Sequence, residues 1–254
     1  MHKQIEEDFG MLTRLLLGKS LSPLGKYEGW LQEHRREIPC RKSAVSEETI
    51  FYPPLCFYAP LTSRGVKQVE ALELGKKDIG MEQARHLDFS NASKLLRPIA
   101  YFTSENTFGT NVDVEECSLY GSSSMCYRMY SFVNCKHCAY SFWPRDSEYL
   151  FGVDTIFSSK FCLKCYNSVN LTRCFEVSHS SNSSDCYFCH NLDACSECLF
   201  CTNAKSLRYA IFNHEVGKEA YMRVKKLVLE EVARKLEKDK RLELNIFNAG
   251  CCKK

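Results

Sequence analysis

The sequence predicts a mainly β protein built on a parallel β-solenoid (β-helix), with a mixed α/β region before it and a capping helix after it. Three observations carry this. The twelve cysteines between residues 114 and 210 (Cys117, Cys126, Cys135, Cys138, Cys162, Cys165, Cys174, Cys186, Cys189, Cys195, Cys198 and Cys201) share one reading phase of three. The 33 positions of that phase hold no charged residue, whereas the other two phases hold 17. Random placement would empty one phase with a probability of roughly one in a thousand, so the period is structural. Finally, Asn, Ser, Thr, Cys and aromatic residues replace a Lys/Glu/Leu mixture at Tyr101, and the change reverses after Asn213.

A strict period of three fits neither an α-helix, which needs 3.6, nor a continuous strand, which needs two. A 3₁₀ helix of this length is unfavourable. A solenoid remains, in which short straight segments alternate with bends and one residue per triplet points inward. Its thin core takes small side chains, and like residues stack between coils. Local self-matches occur at shifts of 27 (Cys135/Cys138 with Cys162/Cys165) and 21 (Cys165, Leu171, Cys174 with Cys186, Leu192, Cys195), so coil length stays open between about 12 and 27 residues. Off-phase aromatics such as Tyr127, Phe151, Phe175 and Phe188 must face outward, and the flanking regions are expected to cover them.

Taken in order, residues 4–18 place Ile5, Phe9, Leu12, Leu15 and Leu16 on a helical stripe, with Glu6, Asp8 and Arg14 opposite. A second short helix is expected over 26–37 around Trp30 and Leu31, with the charged run 33–37 as its solvated face. Residues 40–60 read as extended or irregular because Pro53, Pro54 and Pro60 forbid a long helix. Residues 66–74 are ambiguous, and 81–86 and 91–96 read as helical. The chain thus divides into 1–100, a solenoid over 101–213, and 214–254. The last part opens with a charged helix over 217–240, whose stripe is Tyr221, Val224, Leu227, Val228, Val232 and Leu236. Leu242, Leu244 and Ile246 alternate as a short strand, followed by a frayed tail.

The run Cys195, Cys198, Cys201, Asn203, Leu207, Arg208, Tyr209, Ile211, Phe212, Asn213, followed by Lys218, Glu219 and Tyr221, resembles a family of cysteine-rich proteins of bacteria and archaea. The resemblance covers about residues 105–235. It implies an N-terminal zinc-ribbon-like segment, a cysteine-triplet solenoid and a closing motif before a C-terminal helix, and it implies no activity. The ribbon would fall on residues 40–43 and 55–59, where each C-x-x-C knuckle has kept one cysteine, Cys40 and Cys56. A tetrahedral zinc needs four ligands, so that site is degenerate.

Sixteen cysteines in 254 residues invite a metal reading. C-x-x-C pairs occur at 135/138, 162/165, 186/189, 195/198 and 198/201, a spacing used for zinc knuckles and iron–sulfur clusters. The triplet phase generates the same spacing by itself, so a ladder of buried, reduced thiols is the leading reading. A zinc or iron site, or redox chemistry, would use Cys186, Cys189, Cys195, Cys198 and Cys201 first, and Cys135, Cys138, Cys162 and Cys165 second. His137, His179 and His190 are off phase and read as surface residues.

Net charge is +3 overall. Residues 114–210 carry 8 basic and 9 acidic residues, a poor footprint for nucleic acid. No run approaches the roughly 18 apolar residues of a membrane span, and the N-terminus lacks the pattern of a signal peptide, which places the expectation in the cytoplasm. No phosphate loop, nucleophile elbow or H-E-x-x-H helix occurs. The leading functional expectation is a non-enzymatic binding or scaffold protein that meets a protein partner on the outer face of the solenoid. The alternative is a zinc- or iron-binding or redox protein using residues 186–201. A hexapeptide-type acyltransferase ranks below both, because the aliphatic residue those repeats need every six positions is absent.

Overall fold

The computed structural model describes residues 3–35, 37–54 and 63–251. Residues 107–211 form a parallel β-solenoid of about nine turns. Each residue pairs with the one twelve positions on, as in Ser118↔Tyr130, Cys126↔Cys138, Cys162↔Cys174 and Val177↔Cys189. The first coil differs, since Thr107 pairs with Tyr120 and so holds one extra residue. A coil is therefore twelve residues and four triplets. The shifts of 27 and 21 are coincidences of phase, because any multiple of three returns an inward residue to an inward position.

The bends have one cause. From Asp113 to Phe212 every third residue, the one just before each inward position, lies at positive φ. Thirty-three of these are not glycine. A left-handed L-residue costs roughly 1–2 kcal/mol, so each must be held by its neighbours. Hydrogen bonds between coils do this. The N–H of the bent residue reaches a carbonyl thirteen positions back, as in Arg128 to Glu115 and Lys164 to Phe151, at 3.1 and 3.0 Å. At Gly152, φ is +67° and a Cβ would lie 2.8 Å from the carbonyl oxygen of Leu31. Glycine there lets the N-terminal segment lie directly on the coil.

Two apolar layers result. The inner one is the predicted phase, with Cys, Met, Phe, Leu, Val and Ile from Cys117 to Ala210. The outer one is a column of residues directly following inward ones: Tyr127, Ala139, Phe151, Leu163, Phe175, Tyr187, Leu199 and, partly buried, Ile211. Helix α1 (Lys3–Leu17) lies across this column with Ile5, Phe9, Leu12 and Leu16 buried, and the Phe9 and Phe151 rings are 5.4 Å apart. A 3₁₀ turn, Leu24–Tyr27, leads into α2 (Glu28–Gln32), which adds Trp30 and Leu31.

Hairpin β1 (Cys40–Lys42) and β2 (Thr49–Phe51) is followed by α3 (Gln68–Leu74), α4 (Met81–Arg85) and α5 (Ala92–Leu96), none of which buries a residue. This region meets the first coils through Ser104, whose carbonyl accepts from Ser118 Oγ. At the other end, His214–Glu215 runs antiparallel to Arg208–Ile211 and occupies its free edge. Helix α6 (Lys218–Asp239) then packs along the outer column beside α1, where Lys19 and Glu237 pair at 2.5 Å.

Several expectations change. Leu15 and Leu227 are exposed at 46% and 62%, because α1 and α6 each press a narrower stripe on the solenoid than periodicity suggests. Leu229 and Ala233 of α6 are buried instead. Asp8, on the polar face that helical periodicity assigns to α1, is buried against His137 at 2.7 Å. The run 33–37 is not simply a solvated face, since Arg35 is buried over the Tyr130 ring. Residues 66–74 are helical from Gln68. Residues 242–246 form no strand. Leu242 inserts into the outer core, and the backbone N–H of Ile246 is drawn to Glu176.

Candidate functional site

Inward thiols fall into columns twelve residues apart. One column reads Cys126, Cys138, Leu150, Cys162, Cys174, Cys186, Cys198. The next around the coil ends in Cys189 and Cys201. Every inward Sγ lies against the carbonyl two residues back, and all but those of Cys135 and Cys162 also lie within reach of the carbonyl nine ahead. For Cys189 these are Tyr187 and Cys198 at 3.2 and 3.6 Å, and for Cys201 they are Leu199 and Ala210, both at 3.6 Å. Inward serines donate to the carbonyl two residues back and accept the N–H twelve residues on, as Ser159 Oγ does with Phe157 at 2.8 Å and Leu171 at 2.9 Å. Sulfur does so as well: Cys189 Sγ accepts from Cys201 N–H at 3.4 Å, and Cys201 Sγ from Asn213 N–H at 3.3 Å.

At the C-terminal coils the columns meet. Cys174, Cys186 and Cys198 are successive members of the first column and Cys189 and Cys201 of the next, all in one buried cluster. Of the five predicted residues, Cys186, Cys189, Cys198 and Cys201 thus lie in these two columns. Cys195 stands in a different column, between Ser183 and Leu207. Cys138 pairs in register with Cys126 of the neighbouring coil, as Cys174 does with Cys162. Burial pushes the thiols of Cys117, Cys126, Cys165 and Cys189 up. Hydrogen bonds from Cys189 and Cys198, with the Asn213 N–H, draw Cys201 down. Among the described residues no group of three or more His, Cys, Asp or Glu is arranged to hold a metal ion. Cys40 is exposed on β1, and the second ribbon knuckle, with Cys56, lies outside the described residues.

A second cluster was hidden from sequence patterning. Lys164 and Glu176 occupy off-phase bends, yet both are fully buried, because the chain's own outer layer covers that corner. Lys164 Nζ donates to the Trp30 carbonyl at 2.8 Å and lies 3.0 Å from Glu33 and 3.7 Å from Glu176. Glu176 accepts the Ile246 N–H at 3.0 Å, and burial raises its carboxyl to about 7. One ion cluster thus joins the N-terminal segment, the solenoid and the C-terminal loop.

The remaining flank is bare. One residue per coil (Ser122, Asn134, Asp146, Ser158, Asn170, Asn182, Ala194 and Ser206) is exposed at positive φ. Asn134 donates to Asp146 at 2.8 Å, and Asn170 to Asn182 at 2.9 Å. On the adjoining corner Asn191 donates to Asn203 at 2.8 Å, and the His179 and His190 rings meet at 5.2 Å. His179 faces solvent as expected, while His190 is tied to Ser178 at 2.8 Å. The signal for this ladder was legible in principle: Asn, Asp and Ser recur just before inward positions, and Asn and Asp tolerate the left-handed conformation. No helix among the described residues is long and apolar enough to cross a membrane. No family model matches the chain, and no curated protein matches it.

Proposed function

We propose that this is a non-enzymatic binding or scaffold protein that holds a protein partner on the bare polar flank of the solenoid. The observation that carries this reading is the asymmetry of the two flanks. One is buried under α1 and α6, while the other presents an exposed residue in every coil from Ser122 to Ser206. Such side chains are held at the coil spacing, about 4.7–4.9 Å, by a rigid backbone and by one another. Little rotamer freedom remains to be lost on binding, which favours a flat partner rich in hydrogen-bonding groups. Replacing Asn170 and Asn182 with lysine tests this, because both side chains are exposed and basic residues already occupy equivalent bends at Arg128 and Arg173. The variant is expected to melt like the wild type and to lose the cross-linked partners that the wild type captures from its native host. An unchanged set of cross-links contradicts the reading.

A further inference from the structure

The two ends of the solenoid are finished differently. At the C-terminal end the chain seals its own edge. His214–Glu215 pairs with Arg208–Ile211, and the Asn213 amide accepts the Thr202 N–H at 2.8 Å and donates to the Thr202 carbonyl at 2.7 Å. At the N-terminal end strand Val112–Glu115 pairs only with Ser124–Tyr127, so among the described residues its other edge has no partner strand. Phe108 and Val112 are exposed there. An open strand edge with apolar side chains invites association. Helices α3, α4 and α5 stand at this same end, tied on by Gln68, whose Oε1 accepts from the Thr107 N–H and hydroxyl at 3.2 and 2.6 Å. They bury no residue, and Val69, Leu72, Met81, Leu87, Phe89 and Leu96 are all more than half exposed. Phe89 nevertheless sits in an ordered turn. Asp88 accepts the Asn91 N–H at 2.9 Å, and Asn91 Nδ2 donates to the His86 carbonyl at 2.7 Å. A terminal unit placed to cap the open end of a repeat array thus holds its apolar side chains away from its own chain.

We propose that this arm, residues 68–97, covers the open end of a second copy of the chain, in a two-fold dimer whose arms are exchanged. Exchange of an identical element is a low-cost route to a dimer. Two-fold symmetry uses both arms and both open ends, so the contact closes on itself. Charge selects this geometry over the simpler pairing of one open edge with the other. Residues 110–117 carry three acidic side chains, Asp113, Glu115 and Glu116, and no basic one, although Glu116 is paired with Arg128 at 2.5 Å. Residues 81–97 carry three basic side chains, Arg85, Lys94 and Arg97, and two acidic ones. Of those two, Asp88 is already bonded to Ser90 and Asn91. Two open edges set together would place like charges opposite each other, which is unfavourable. An arm on the partner's edge places opposite net charges together. The apolar anchors are Phe89 and the pair Val69 and Leu72, three residues apart on one face of α3, which meet the partner's Phe108 and Val112.

Sedimentation of the full-length reduced protein at micromolar concentration tests this. The wild type is expected to sediment at twice the 29.3 kDa of the chain. Leu72→Asp/Phe89→Asp is expected to sediment as a single chain with an unchanged circular dichroism spectrum, because neither side chain is buried in the chain's own core. Asp113→Lys separates the two dimer geometries, at a bend of the kind that holds basic residues at Arg128 and Arg173. It should weaken the arm-exchanged dimer several-fold, whereas an edge-to-edge dimer would tighten as its repulsion falls. A monomeric wild type, a dimer that survives Leu72→Asp/Phe89→Asp, or a dimer unchanged or tightened by Asp113→Lys each overturns the proposal. The outer-flank reading stands or falls separately, since none of these positions lies on the flank from Ser122 to Ser206.

Discussion

Serine and cysteine interchange at inward positions because each supplies a γ atom that reaches two backbone groups left by the bends. Ser159 donates to the Phe157 carbonyl at 2.8 Å and accepts the Leu171 N–H at 2.9 Å. Alanine would fill nearly the same volume but leave that buried N–H unpaired, which costs roughly 1–3 kcal/mol. Ser159→Ala should therefore lower the urea midpoint clearly, whereas Ser159→Cys should cost less, because Cys189 and Cys201 already play the accepting role. Equal losses for the two would contradict this account. The inward phase itself was fully legible, since charge avoidance depends only on burial. The left-handed bends were not read from the sequence, because on the covered flank they are filled by Tyr140, Phe188 and Phe200, which no turn preference selects.

Between elements, the cluster of Glu33, Lys164 and Glu176 links α2, the solenoid and the loop after α6. Burial is the main cause of the raised Glu176 carboxyl, and the nearby Glu33 charge adds to it, while Lys164 and the Ile246 N–H oppose. The sign follows from linkage. Folded Glu176 titrates near 7 and the unfolded residue near 4.3, so the folded state holds more protons between these values. This group's contribution is full at low pH and is lost as pH rises through the window to about 7. In urea unfolding from pH 4.5 to 7.5, Glu176→Gln should remove that downward component and leave a flatter profile than the wild type. A variant with the same slope would show that another group sets it. Patterning could not find this cluster, because Lys164 and Glu176 are charged residues at positions where charge normally means solvent. Only the docking of residues 30–33 and 246 buries them. The same docking explains the misplacement of Asp8 and Leu15: helical period gives the stripe's width, but the partner surface decides which edge is covered.

On the scale of the molecule, the solenoid has two cores, and the outer one is completed by segments from both ends of the chain. Removing residues 217–251 would uncover Tyr187, Phe188 and Leu199 and take the Ile246 N–H from Glu176. That exposes a contiguous apolar patch, and the truncated protein should be largely insoluble on expression. A soluble, equally stable product would show that α6 is not part of the core. Coil length escaped sequence reading for a physical reason. The inward columns interchange Cys, Ser and larger apolar residues such as Met129, Phe132 and Leu150, so no single column repeats strictly every twelve, and shifts of 21 and 27 score as well. What the phase did fix is which side chains are shielded. Native-state thiol alkylation followed by mass spectrometry tests that shielding most directly. Cys40 and Cys251 should react at once, and the twelve cysteines from Cys117 to Cys201 should stay unmodified and reduced until the protein unfolds. Rapid labelling of inward cysteines such as Cys162 or Cys174 in the native state, or disulfides among them, would contradict the fold as described.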